Sequence, residues 1–155
     1  KTQGRTFSRR IDTPVGPMTL VSDGEALLRA DFGGAPAADA CPVLDLAERE
    51  LREYFEGNRR EFSVPLKPVG TPFQLRVWEA LRAIPYGETR SYQDVARAVG
   101  NERATRAVGL ANNRNPLAVI VPCHRVIGKG GSLVGYGGGL DNKRYLLGLE
   151  ASPPP

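Results

Sequence analysis

The sequence predicts two units in tandem: an α/β unit built on a small antiparallel sheet over residues 1–68, and a mostly helical unit with a helix-turn-helix over 69–155. Three observations carry that expectation. The stretch IDTPVGPMTLVSDGEALLRADF (11–32) alternates apolar and polar residues around Gly and Pro turns, as short half-buried strands do. Beyond VPLKPVGTP (64–72) the apolar spacing lengthens to the helical period. The charge divides at the same place: residues 1–68 hold 10 Lys or Arg against 11 Asp or Glu, and 69–155 hold 11 against 6, so a balance of −1 meets one of +5.

Each element follows from local signals. After the strands, LDLAERELREYFEG places Leu44, Ala47, Leu51, Tyr54 and Phe55 at helical spacing, with Gly57 as the stop. Residues 64–72 are expected to be a linker. Thr71 suits an N-cap and Pro72 the first helical position, and Phe73, Val77, Trp78, Leu81 and Ile84 form an apolar stripe that ends at Pro85. Ser91 and Asp94 have capping-box spacing, Val95, Ala98 and Val99 give an inner face, and Gly100 closes the helix. A second helix is expected from about Glu102 to Asn112. It carries Ala104, Ala107, Gly109 and Ala111, small residues that would let a large partner approach, with Arg103 and Arg106 between them. Two short helices around a Gly turn in a basic unit suit DNA contact, and they also suit an ordinary helical hairpin. A last helical pattern runs from Asp141 through Tyr145, Leu146 and Leu149.

Composition narrows the function classes. With 41% hydrophobic and 25% charged residues the chain has the balance of a soluble globular protein. No window approaches the roughly 18 apolar residues of a membrane span, no basic start leads into an apolar stretch, and a cytoplasmic protein is expected. Cys41 and Cys123 stand far apart in dissimilar surroundings, and one His with two Cys does not fill a four-ligand zinc site. Reduced thiols, no metal and no cofactor are expected.

The sequence VPCHRVIG (121–128) sets the only histidine beside one of the two cysteines. A thiol with an ordinary pKa near ~8.5 needs a base, a cation or a helix N-terminus to become a nucleophile. Sequence neighbours diverge by about 100 degrees in a helix and point to opposite faces of a strand, so direct Cys123–His124 hydrogen bonding needs an unusual turn. A bridging water connects them more readily. Glu150 is a candidate carboxylate to orient the imidazole. Three other readings stand beside this one: an inert buried cysteine in a DNA-lesion binder, a Cys-His hydrolase, and a phosphate loop at GYGGGLDNK (135–143), which lacks the P-loop spacing.

NPLAVIVPCHRVIG (115–128) resembles the active-site segment of the O6-alkylguanine-DNA alkyltransferases, also called methylated-DNA-protein-cysteine methyltransferases. The likeness extends through TPFQLRVWEALRAIPYG (71–87), SYQDVA, RAVGLANNRNP and GYGGGLDNKRYLLGLE, and more loosely through IDTPVGPMTL and YFEG in the first unit. It implies a ribonuclease H-like α/β first domain and a winged-helix-like second. It implies further that Cys123 accepts the alkyl group, that His124 deprotonates it through a water, and that Glu150 orients His124. By the same resemblance Arg106 fills the gap left by a flipped nucleotide, Tyr92 helps rotate that nucleotide out, and Gln93 and Asn101 contact DNA. Asn115 would make the turn from the recognition helix to the active-site strand and join the same hydrogen-bond network. Val126, Tyr136 and Gly137 would line the guanine pocket. The implied partner is double-stranded DNA carrying O6-alkylguanine and, less favourably, O4-alkylthymine, met by a monomer that works without a cofactor or a membrane and is spent after one transfer. Cooperative binding along DNA stays open. Some relatives hold zinc in the first domain, and this chain lacks the His and Cys for it.

Overall fold

The computed structural model describes residues 5–131, 136 and 138–151. The described residues divide into two compact units: 5–69 with 116–120, and 70–115 with 121–131, 136 and 138–151. The units are therefore discontinuous in sequence.

In the first unit, β1 (Phe7–Ile11), β2 (Met18–Ser22) and β3 (Leu27–Phe32) form an antiparallel sheet in that order, followed by α1 (Pro42–Phe55). Alternation places Met18 and Leu20 of β2 on one face, where Leu27 and Ala30 of β3 join Leu44, Ala47, Leu51 and Tyr54 of α1 in a buried core. Each buried Leu contributes roughly 2 kcal/mol by apolar transfer. The first strand starts earlier than the alternation signal, because FSRR is only half-buried and hides its period behind two arginines. Arg9 joins β1 to α1 through Asp45 at 2.7 Å and Glu48 at 3.1 Å.

The expected linker is shorter than its Pro and Gly content suggests. Leu27 donates from its N to the Pro65 carbonyl at 2.8 Å and accepts from Lys67 N at 2.9 Å, so residues 65–67 run parallel along β3. The preceding residues are held from inside. Glu50 is fully buried on α1 and accepts from the backbone N of Ser63 and of Val64, at 2.9 and 3.0 Å, and from the Ser63 hydroxyl, with Arg59 3.3 Å away. Spacing that reads as a loop is here edge pairing around a buried carboxylate.

The second unit is helical, with α2 (Pro72–Arg82), α3 (Tyr92–Ala98), α4 (Thr105–Asn113) and α5 (Leu140–Ala151). Two short strands, β4 (Arg90–Ser91) and β5 (Val126–Ile127), pair in parallel. Both expected caps are present: Thr71 accepts from Gln74 N while Gln74 reaches back to Thr71 N, and Ser91 and Asp94 do the same. Val77, Trp78 and Leu81 of α2 are buried, with Ile84 just beyond its end, and the Trp78 indole donates to the Ala111 carbonyl of α4 at 2.9 Å. A Cβ on Gly70 would stand 2.5 Å from the Trp78 ring, so only glycine fits before the Thr71 cap.

The helix expected from about Glu102 begins three residues later, at Thr105. Asn101 diverts the chain: its side-chain oxygen accepts from Arg103 N and its carbonyl from Ala104 N, which closes a turn where a first helical turn would be. Among the described residues no helix is long and apolar enough to cross a membrane.

Candidate active site

The segment that delivers Cys123 is shaped by two γ-turns. Ile120 N bonds the Ala118 carbonyl at 2.8 Å around Val119, a buried β-branched residue at φ 71°, which is a strained conformation for such a side chain. Cys123 N bonds the Val121 carbonyl at 2.8 Å around Pro122, at φ −81° and ψ 64°. The proline ring presets that φ. The Asn115 amide donates to the same Val121 carbonyl at 2.8 Å and also hydrogen-bonds Cys123. Asn115 thus fixes the approach to the thiol. The resemblance implied an active-site strand here, but the chain passes from these turns into a single 3-10 turn, Cys123–Arg125. Pro122 cannot donate to a ladder, which is one reason that no strand forms through it.

The 3-10 turn separates the side chains of neighbouring residues and sends each to a different partner. His124 is fully buried and its Nε2 lies 2.7 Å from Glu150 Oε2. Arg125 is buried too, and grips Glu150 with Nε at 2.8 Å and Nη2 at 3.0 Å while Nη1 donates to the Ile84 carbonyl at 2.6 Å. Such a forked guanidinium–carboxylate pair fixes orientation as well as charge. Glu150 rides on the same face of α5 as Lys143 and Leu146, all buried. Lys143 Nζ donates to the Val126 carbonyl at 2.6 Å.

Electrostatics follow from this packing. Burial alone would raise the Glu150 carboxyl, but hydrogen bonds from His124 and Arg125 outweigh it and hold it at about 2. Burial pushes the His124 imidazole below its ordinary range, against the pull of Glu150, and leaves it neutral at neutral pH. With an ionised carboxylate at Nε2, the ring proton belongs on Nε2 and Nδ1 is the acceptor. Nδ1 is buried and meets no donor among the described residues. Burial drives the Cys123 thiol up to about 11, with the Asn115 hydrogen bond and the Lys143 charge pulling the other way. The resting thiol is therefore protonated, and the neutral imidazole of the next residue is a candidate base for it.

The other expected residues fall around this centre. Tyr92, first in α3, is half-buried and close enough to Cys123 to have its phenol pKa raised, by burial first and by the thiolate charge second. Tyr136 is raised further by the same two causes, with Glu150 adding to them. Val126 is buried in β5. Gln93 and Asn101 are exposed. Gly137 lies outside the described residues. Arg106 is exposed on α4 and forms no ion pair among the described residues, for Glu102 is taken by Arg97 at 2.9 Å. Sequence reasoning missed Arg125, Lys143 and Asn112. Asn112 is on the buried face of α4, with its Nδ2 3.4 Å from the Cys123 carbonyl.

The small residues of α4 divide between two faces. Ala111 is buried, and a Cβ on Gly109 would meet the Tyr92 ring at 3.9 Å. Ala111 packs under the Trp78 indole of α2, whereas the Gly109 position has room for a Cβ in ordinary contact with Tyr92. The outward face carries Arg106, Ala107, Leu110, Asn113 and Arg114, with Leu110 59% exposed at its centre.

The chain is similar to known proteins along both units. Residues 72–152 match the family described as 6-O-methylguanine DNA methyltransferase, DNA binding domain, and residues 7–68 match its ribonuclease-like domain. A methylated-DNA–protein-cysteine methyltransferase of Methanosarcina acetivorans is 49% identical over 91% of this chain and 96% of its own. The crystal structure of Mycobacterium tuberculosis O6-methylguanine methyltransferase superposes with a TM-score of 0.89 at 47% identity, covering 97% of this chain and 96% of that one. That of Mycobacterium tuberculosis OGT in complex with DNA gives 0.87 at 48% identity, over 94% and 92%. Matched along both units by one family and by relatives near half-identical over almost their whole length, the chain belongs to the 6-O-methylguanine DNA methyltransferase family.

Proposed function

We propose that the protein repairs DNA by moving the alkyl group from O6 of guanine onto Cys123. The observation that carries the reading is the buried contact of His124 Nε2 with Glu150, beside a protonated thiol. Burial keeps the imidazole neutral against the pull of Glu150, and the Glu150 contact, oriented by Arg125, turns the ring so that Nδ1 takes a proton. Through a water, His124 removes the thiol proton, and the thiolate attacks the alkyl carbon in line. The carbon–O6 bond breaks and its electron pair passes to the guanine ring. Tyr92 stays protonated because its pKa is raised, and donates a hydrogen bond to guanine N3 as charge builds there. Overall the thiol proton ends on the released guanine and a thioether remains on Cys123. Thioethers are not opened by thiol exchange, so one molecule acts once.

The target atom is inaccessible inside a duplex, so the nucleotide is flipped out at a cost of a few kcal/mol in lost stacking. Arg106, exposed and unpaired on the outward face of α4, enters the vacated stack; Gln93 and Asn101 contact the backbone. Val126, Tyr136 and Gly137 wall the base, and O4-alkylthymine fits the same pocket less well. Mass spectrometry of the intact protein after incubation with duplex DNA containing O6-methylguanine tests the reading. A single methyl on Cys123 with no turnover is expected; several products per protein molecule contradict it.

A further inference from the structure

Two buried acceptors in the second unit meet no donor among the described residues: His124 Nδ1 and Asn112 Oδ1. A buried amide oxygen without a donor costs on the order of 1–3 kcal/mol, so an orphan on the buried face of α4 calls for a ligand. The planar amide of Asn112 ends at the peptide that joins Cys123 to His124, since its Nδ2 is 3.4 Å from the Cys123 carbonyl. Both orphans are therefore carried by groups attached to or touching that one peptide, and both are acceptors. What satisfies a pair of acceptors is a molecule with two hydrogens to give.

Resting on the alkyl-transfer reading, we infer that Asn112 is a positioning residue for the proton relay: Asn112 Oδ1 and His124 Nδ1 together hold one water whose lone pair faces the Cys123 thiol. That water gives one hydrogen to each acceptor and accepts the third hydrogen bond from the thiol, which matches the roughly three bonds typical of buried waters. The step balances. The S–H bond breaks, its proton passes to the water oxygen, and a water proton passes to Nδ1, leaving a thiolate, an imidazolium and the water restored. With His124 alone, the water has one unmet hydrogen and is free to turn its lone pair from sulfur. Asn112 fixes that rotation.

Leu and Asp are both close to Asn in shape, and both remove the Nδ2 contact with Cys123, but only Asp keeps an acceptor at Oδ1. The other titratable groups facing Cys123 and His124 are Tyr92 of α3, Arg125, Tyr136, and Lys143 and Glu150 of α5, and they are common to both variants. Single-turnover methyl transfer from duplex O6-methylguanine is measured from pH 7 to 9. The unaltered protein and Asn112→Asp are expected to show nearly flat profiles. Asn112→Leu is expected to be slower by on the order of ten- to a hundred-fold at pH 7 and to gain about ten-fold per pH unit, because its thiol must lose its proton to solvent. A flat profile for Asn112→Leu, or an equal loss in both variants at every pH, overturns the inference. Should Asn112→Leu fail to fold by circular dichroism, the proton inventory of Asn112→Asp against the unaltered protein decides: the same two-proton curve supports the relay, and a linear one overturns it. Failure of the unaltered protein to transfer methyl at all would instead sink the alkyl-transfer reading.

Discussion

Arg125 and His124 share one carboxylate, and the division assigns their tasks. Arg125 neutralises Glu150 from one side so that His124 need not, which in the proposed reaction lets the imidazole stay uncharged until it takes the thiol proton. Glu150→Gln keeps the shape but weakens the hold on Nε2, and methyl transfer is expected to slow by about ten-fold or more while duplex affinity measured by anisotropy stays within about two-fold. The same pair sets an acid limit on stability. The Glu150 carboxyl, at about 2 when folded against 4.5 otherwise, contributes on the order of 3 kcal/mol that is present above pH 4.5 and lost as pH falls toward 2. His124 acts in the same direction earlier: its folded pKa is below the ordinary 6.5, so below about pH 6.5 the unfolded chain binds a proton that the folded one refuses. Urea unfolding at pH 7, 6 and 5 is expected to show falling stability, and an increase on acidification contradicts the neutral buried imidazole. Cys123, His124 and Glu150 were legible in the sequence as family positions, but Arg125 and Lys143 were not. Long cations read as surface residues, and only the fold shows that a carboxylate and a carbonyl await them inside. Spacing held one clue, since Lys143, Leu146 and Glu150 share the helical period of α5.

Among the elements, α4 has the most to do, because it packs inward on Trp78 and Tyr92 while presenting two arginines and a leucine outward. If Arg106 enters the base stack, Arg106→Ala should slow repair of a well-paired duplex much more than reaction with the free modified base, whereas a phosphate contact would weaken all duplexes alike and flatten the salt dependence by about one unit. Equal slowing on duplex and free base removes the stacking role. The placement of α4 depends on Gly70 in turn. Gly70→Ala forces a methyl against an indole that is tethered by its hydrogen bond to Ala111, and a loss of about 1–3 kcal/mol in thermal unfolding is expected. No change would mean the ring has room to yield. Helices and caps were readable because Thr71, Pro72, Ser91 and Asp94 each carry a local signal. The pairing of residues 65–67 with β3 was not, since a parallel edge contact to Leu27 leaves no periodic mark, and the turn at Asn101 competed with helix through a side-chain bond that propensity does not weigh.

At the scale of the whole chain, the five residues 116–120 belong to the first unit although they lie between α4 and Cys123 of the second. Ala30 accepts from Ala118 N at 3.0 Å and donates to the Pro116 carbonyl at 2.8 Å, so this short segment is bound to β3 in the first unit. A fragment of residues 70–155 would carry the segment without Ala30, leaving an unpaired apolar run, LAVIV, of the kind that associates with other chains. Produced alone, it is expected to elute as aggregates in size-exclusion chromatography and to melt less cooperatively than the full chain; a sharp monomeric peak with a steep transition argues otherwise. The consequence reaches into inheritance. A domain whose chain is continuous can be copied into another gene as a cassette, but the half of this protein that holds Cys123 receives it from a thread that returns through the other half. Recombination at the boundary after Val69 would separate that thread from its partner, so these two units are bound to travel, duplicate and diverge as one.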